Sequence, residues 1–432
     1  MKSSLAKLVL AAIAVGLCSP GLEAQLNFKD GDRVCIIGNS LASRLQYSGW
    51  LESMIQSRSE GKHLTFRNLG FPGDQVAKRP RNKGYMTPEE YLTHCEADVI
   101  FAMFGYNESF AGEGGLDSFS RSLNEMIDSY RELKPNGKTA PRIVLFSPIA
   151  HENLNDRNFP DGNENNARLA LYTSAIRQVA VEKNASFVDL FAASQALYQA
   201  SISPLTLNGI HLNDEGNRLL GQFIASTLLN ESFSVTSELE QLRQAVLDKN
   251  LHWFNRYRAT DGNDVWGGRS HLKFVQGQTN REVLMHELIM FDIMTANRDP
   301  RIWTLLEGRD MVVDDSNVPP PVGVVSNVGG GSPSSNAKKE GDLHYISGEE
   351  GLKEMKVPEG FEVNLFADEE RFPELVNPVQ LSVDTHGRLW VAAWKTYPKW
   401  EPLKEMDDRL IILPDENRDG VADEAITFAK VH

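Results

Sequence analysis

Over its first 230 residues this chain alternates short apolar runs with longer segments of helical periodicity, and no other feature restricts its fold as strongly. The runs are Arg33 to Ile37, Leu64 to Leu69, Val99 to Phe104, Arg142 to Ser147 and Ser186 to Asp189. Each has the length of a strand and is apolar on both alternating faces, as a strand buried on two sides must be. Helical patterns fall around Arg44 to Ser57, Pro88 to His94, Leu116 to Leu133, Asn165 to Lys183 and Asp214 to Leu229. Strand and helix in strict alternation predict an α/β fold with a parallel sheet. Ligands of such open sheets bind at the carboxyl ends of the strands, so those ends are where chemistry is sought.

The strand ends carry reactive residue types. Gly38-Asn39-Ser40 delivers a serine after the first strand, and Asn68-Leu69-Gly70 and Gly105-Tyr106-Asn107-Glu108 follow the second and third. Leu207-Asn208-Gly209-Ile210-His211-Leu212 supplies a histidine before the last of these helices. A hydroxyl, an imidazole and NH donors are the parts of a serine acyl-transfer site. Each residue also has a plain structural use: Ser40 as a helix N-cap, Gly70 and Gly73 as turn glycines, Asn107 as a loop residue, His211 as a residue preceding the Asn213-Asp214 cap. Their joint occurrence on one sheet edge favours the chemical reading.

In this order the four segments resemble the SGNH (GDSL-like) hydrolases, over about half the chain, from Leu26 to Asn230. The resemblance implies a flavodoxin-like three-layer α/β domain and a cofactor-free serine esterase. It places the nucleophile on Ser40, the base on His211, and the oxyanion donors on the Gly70 NH, the Asn107 amide and the Ser40 NH. One departure matters, because the family usually has Asp three residues before the histidine and here that residue is Asn208. Asn orients an imidazole but supplies no charge to the imidazolium. Three readings follow: a slower Ser-His esterase oriented by Asn208, a site that borrows Asp214 or Glu215, or a non-catalytic relative. Past the fourth strand, His151 and Glu152 either contact a polar substrate or are solvated loop residues. The polar insertion after them favours a small acyl group on a carbohydrate or other small ester over a long-chain lipid.

Composition narrows the partners. A net charge of -15 argues against nucleic acid or an anionic membrane surface. Lys2 and Lys7 precede an apolar run, Leu8 to Leu17, that is too short to span a bilayer, so residues 1–24 read as a secretory signal cleaved after Ala24. The expected location is secreted or periplasmic, without stable membrane insertion. Cys35 and Cys95 remain after cleavage; a disulfide or two buried free thiols both fit.

Domain limits are expected at 25–232 for the hydrolase-type domain, 233–311 for a helical extension, 312–345 for a Pro/Gly/Ser linker and 346–432 for a final segment. In the extension, Arg256, Arg258, Trp266 and Arg269 form either a lid over the serine site or part of a helical appendage packed by its aromatics. In the final segment Phe361 to Phe366, Val379 to Asp384 and Gly387 to Ala392 read as strands. They resemble the start of a glucose/sorbosone-dehydrogenase-like β-propeller, of which only an incomplete part would be present. Asp415, Asn417, Asp419 and Asp423 space oxygen donors around a turn glycine, the pattern of a calcium loop or of a plain Asp-rich turn. A different class of function also fits: a carbohydrate-binding SGNH-like module of a longer, redox-active propeller protein, with Asn208 as the feature that favours it.

Overall fold

The computed structural model describes residues 25–81, 83–259, 262–275, 277–322, 346–397 and 402–431. The expected signal segment and most of the expected linker lie outside the described residues. Two compact units are present, divided near Pro320.

The first unit is built on five strands: β1 (Arg33–Gly38), β2 (Thr65–Asn68), β3 (Val99–Met103), β4 (Arg142–Phe146) and β5 (Ser186–Val188). All pair in parallel, in the order β2-β1-β3-β4-β5. The period of two sends alternate side chains to opposite faces. Val34 and Ile36 of β1, Phe101 and Met103 of β3, and Val144 and Phe146 of β4 enter one apolar core. Cys35 and Ile37, Ile100 and Ala102, and Ile143 and Leu145 enter the other. Cys35 and Cys95 are both buried and free.

Helices cover both faces. On the first lie α1 (Ser40–Ser48), α2 (Trp50–Gln56), α6 (Leu190–Ala200) and α7 (Asp214–Leu229); on the second lie α3 (Pro88–His94), α4 (Leu116–Leu133) and α5 (Asn163–Glu182). The single helix expected over Arg44 to Ser57 is two, because Gly49 takes the left-handed conformation (φ 70°) that ends α1, and α1 itself starts at Ser40. Asn39 caps it through its side-chain oxygen, 3.2 Å from the Leu41 NH.

The expected helical extension is built into this unit. Helix α8 (Ser237–Arg258) places Leu242 and Val246 in the first core and Trp253 and Tyr257 in the second. It therefore wraps the β2 edge, where a parallel sheet leaves a row of carbonyls unpaired. Side chains of α8 and of α10 (Asn280–Leu306) cap that row. Trp303 Nε1 donates to Leu64 O at 2.8 Å, Lys249 Nζ to Phe66 O at 3.1 Å, Trp253 Nε1 to Asn68 O at 2.8 Å and the Tyr257 hydroxyl to Leu69 O at 2.7 Å. Lys249, buried, also pairs with Glu52 at 2.7 Å, and Arg67 with Asp299 at 2.5 Å. Between these helices run the short α9 (Gly262–Val265) and the ribbon β6 (Lys273–Val275) and β7 (Gln278–Thr279). The expected linker begins later than its composition indicates. Arg298 Nη1 binds Asp315 at 3.1 Å and His286 Nε2 contacts Pro320 O at 2.9 Å, so the chain up to Pro320 stays tied to α10.

The second unit opens with α11 (Gly348–Glu354) and contains an antiparallel sheet of β8 (Pro378–Val383), β9 (Leu389–Ala393), β10 (Arg409–Leu413) and β11 (Ile426–Lys430), in the order β11-β10-β9-β8. Its core is small, built on Leu375, Val391, Ala393, Ile411, Leu413 and Ala422. Two expected strands are present; Phe361 to Phe366 is not one. That segment is held across its backbone by Ala422, whose NH donates to Phe366 O at 2.8 Å.

Candidate active site

The sheet order reverses direction between β1 and β3, and loops leaving those two strands in opposite directions open a crevice there. Ser40 follows β1 and Asn107 follows β3. Their closeness depends on Gly38: at φ 139° it sits so near β3 that an added Cβ would meet Met103 O at 2.1 Å. A cavity of about 160 Å³ opens at this point. Ser40, Asn107 and His211 line it together with Arg44, Tyr106 and Asn217, and Met103, Pro148, Ile149 and Leu212 form an apolar wall. Among the sequence-predicted residues, these three converge from three loops far apart in the chain.

His211 is held by its own loop. Asn208 Oδ1 accepts from the His211 backbone NH at 3.0 Å and lies 3.2 Å from Nδ1. In the tautomer with its proton on Nδ1 the ring donates to Asn208 and leaves a lone pair on Nε2. Burial lowers the His211 pKa from its ordinary value, and the nearby Arg44 charge lowers it further. Asp214 is exposed in the first turn of α7, and Glu215 pairs with Arg218 at 2.8 Å. Neither carboxylate contacts the imidazole.

Gly70 departs from its expected role. Its NH donates to Asn68 Oδ1 at 2.9 Å, while Asn68 Nδ2 reaches back to Ala42 O at 2.7 Å. Asn68 thus ties the end of β2 to α1, and the amide expected to face an oxyanion is spent inside that brace. Asn107 Nδ2 donates to Asp74 O at 3.1 Å, which seats the 71–74 turn beside Asn107, and the Gly73 NH in that turn has no partner among the described residues. One proton of the Asn107 amide remains uncommitted, as does the Ser40 NH at the first turn of α1. Glu108 fastens the same loops, its carboxylate accepting from Val76 N at 2.8 Å and Gly105 N at 3.0 Å.

His151 and Glu152 neither line the cavity nor meet solvent; both are buried. Glu152 accepts from the Leu205 NH at 3.0 Å and from the Thr206 NH and hydroxyl at 2.7 Å each. Thr206 Oγ1 in turn accepts from the Gly209 NH at 2.9 Å. A buried carboxylate so engaged anchors the loop that carries His211. His151 packs beneath that loop, where a Cβ on Gly209 (φ 84°) would meet its Nε2 at 2.4 Å. These partners stand some fifty residues away in sequence, so nothing local marked either residue as a loop anchor.

Of the four residues considered as a lid, three are engaged elsewhere, and Arg258 lies over the Phe71 ring at 3.7 Å and reaches the Ser43 hydroxyl at 3.4 Å. Arg256 pairs with Asp292 at 2.7 Å, Arg269 with Asp264 at 3.0 Å, and the buried Trp266 packs on Tyr85 with the rings tilted by 60° and their centroids 4.5 Å apart. In the second unit the expected calcium ligands spend their oxygens on their own backbone. Asp415 Oδ1 accepts from the Asp419 NH at 3.1 Å, Asp419 Oδ1 from the Val421 NH at 2.9 Å and Asp423 Oδ2 from the Glu416 NH at 2.6 Å. Among the described residues no group of three or more His, Cys, Asp or Glu side chains is placed to hold a metal ion. These bonds make the segment an Asx-rich turn.

Known proteins divide along the same lines. Residues 36–219 match the GDSL-like Lipase/Acylhydrolase family, and residues 347–431 match a domain of unknown function, DUF7133. No curated protein matches the chain. Among solved structures, a gut microbial diltiazem-metabolizing enzyme is 18% identical at a TM-score of 0.39, the alignment covering 47% of this chain and 48% of that one, so this chain spans about half its length. A catalytic mutant of Axe2, an acetylxylan esterase from Geobacillus stearothermophilus, is 17% identical at a TM-score of 0.39, with 49% of this chain and 100% of that chain covered. Est24, a carbohydrate acetylesterase from Sinorhizobium meliloti, is 16% identical at 0.35, with 45% and 97% covered. The family match and the reactive residues at the sheet switch point coincide: residues 36–219, which carry Ser40, Asn107 and His211, are similar to the GDSL-like lipases and acylhydrolases, a family of ester hydrolases.

Proposed function

We propose that the protein is a secreted serine esterase that removes a small acyl group, such as acetyl, from a carbohydrate or another small ester. Ser40 Oγ attacks the ester carbonyl, and His211 Nε2 takes the proton and returns it to the leaving alcohol. The developing oxyanion meets the Ser40 NH and the free proton of the Asn107 amide, with the Gly73 NH in the place first expected of Gly70. Asn208 holds the tautomer that keeps Nε2 basic. Water then repeats the cycle on the acyl-enzyme. The observation that carries this reading is the convergence of Ser40, Asn107 and His211 on one cavity. A volume of about 160 Å³ matches cavities that take a group of about benzene size, which supports a short acyl chain.

Release of p-nitrophenol from p-nitrophenyl acetate, wild type beside Ser40→Ala, tests the reading. Equal rates would favour the carbohydrate-binding alternative, which Asn208 keeps in view because a neutral residue supports the imidazolium poorly. Residues 1–24 serve export in this proposal, and a mature protein starting at Gln25 is its check. Among the described residues no helix is long and apolar enough to cross a membrane. The four-stranded antiparallel sheet of the second unit has the strand number of one propeller blade and is proposed as the first blade of a dehydrogenase-like β-propeller.

A further inference from the structure

Arg44 stands four residues after Ser40 on α1, one helical turn along the same face. It lines the serine cavity, and it also lines an adjoining groove of about 200 Å³ bounded by Tyr47, Leu207, Asn213 and Asp214. Other buried or half-buried arginines of this unit are matched to carboxylates: Arg67 to Asp299, Arg256 to Asp292, Arg298 to Asp248 and Asp315, whereas Arg44 is half-buried. Arg44 forms no ion pair or hydrogen bond among the described residues, and its Nε is buried without a partner. The Nε drawn out of water is desolvated with no acceptor in the protein to offset it. The planar donor fork of the guanidinium matches a carboxylate.

We propose that Arg44 binds a carboxylate on the alcohol portion of the substrate, so that the site selects acyl esters of acidic alcohols, such as acetylated uronic acids. The inference rests on the esterase reading and narrows its substrate class. The alcohol side is chosen because the esterase reading gives the serine cavity to the acyl group, while Arg44 lines both that cavity and the adjoining groove. Such an anion also meets an electrostatic need. The imidazolium formed on His211 faces a neutral Asn208 and a positive Arg44, and a carboxylate seated on Arg44 cancels the repulsion. The substrate thereby contributes charge of the sign that an aspartate at position 208 would provide.

The test compares 3- and 4-acetoxybenzoate with the corresponding acetoxybenzamides, which are of equal size and neutral. Wild type is expected to favour the anion about tenfold or more in kcat/KM, partly through kcat; Arg44→Met brings the ratio to about one, and Arg44→Lys restores part of it. A ratio that is the same in wild type and Arg44→Met, whatever its value, overturns the proposal. A wild-type rate no greater than that of Ser40→Ala would instead defeat the esterase reading. Calorimetric binding of 4-acetoxybenzoate to Ser40→Ala separates the two failures. Binding weakened tenfold or more by adding Arg44→Met, or by Arg44→Gln if the methionine variant does not fold, supports the carboxylate site, and unchanged or absent binding refutes it.

Discussion

The two sheets of this protein treat their edges in opposite ways. In the parallel sheet, the outer side of β2 is closed by α8 and α10, whose Trp253, Tyr257, Lys249 and Trp303 side chains reach the strand's free carbonyls. At the other end β5 is only three residues long, a short edge with little to expose. In the antiparallel sheet, β8 and β11 are exposed along their whole length, with Leu381 57% and Phe428 62% accessible. A sheet buried on both faces and capped at its edge supplies a rigid rim on which loops can hold chemistry in place. A sheet of four strands with a small core and open sides has no such rim, and the reactive residues lie accordingly in the first unit.

The sharpest way to break this comparison is to remove the nucleophile. Ser40→Ala should lower p-nitrophenyl acetate turnover by about 10³-fold or more while leaving the melting temperature nearly unchanged. If turnover survives, the first sheet is not the site of chemistry. Next in size is the edge cover itself. Lys249→Met leaves the buried Glu52 carboxyl without its ionic partner and uncaps Phe66 O; urea unfolding should show a loss of about 3–5 kcal/mol.

A smaller effect is expected where the rim carries the base. Glu152→Ala frees the Leu205 and Thr206 NH groups and should cost about 2–4 kcal/mol by the same measurement. Because the loop it anchors carries His211, kcat should fall more than KM rises. The open sheet should respond far less: Leu381→Lys in β8 is expected to change the stability of residues 346–432 by no more than about 0.5 kcal/mol. A large loss there would mean that β8 is covered in the native protein. The smallest test is in pH. Since burial and Arg44 both lower the His211 pKa, the neutral base persists to lower pH, and the acid limb of kcat/KM should have its midpoint below 6.5. A midpoint above 6.5 would place a negative group beside the ring.

Five strands and most helices of the first unit were legible because burial on both faces writes itself as uninterrupted apolar runs between helical patterns. Helix α6 was not, since Leu190 to Ala200 is rich in alanine and has little polar contrast to mark a face. Ser40, Asn107 and His211, which line one cavity, were singled out by their place at strand and helix ends. Gly70 was misplaced because the availability of its NH depends on where the Asn68 side chain turns, and backbone spacing carries no record of that. Glu152 looked like a loop residue because its partners follow some fifty positions later. Arg44 looked like an ordinary charge on a helix.

What the sequence determined by itself is the alternation that makes a parallel sheet and the residue types at its carboxyl ends, because local periodicity and strand polarity decide both. The tertiary structure decided which amide hydrogens stay free, which carboxylates brace loops and which guanidinium is left without a partner. Those are matters of distance between segments far apart in the chain, and a hydrogen bond or an ion pair exists only once the fold has brought its two ends within about 3 Å.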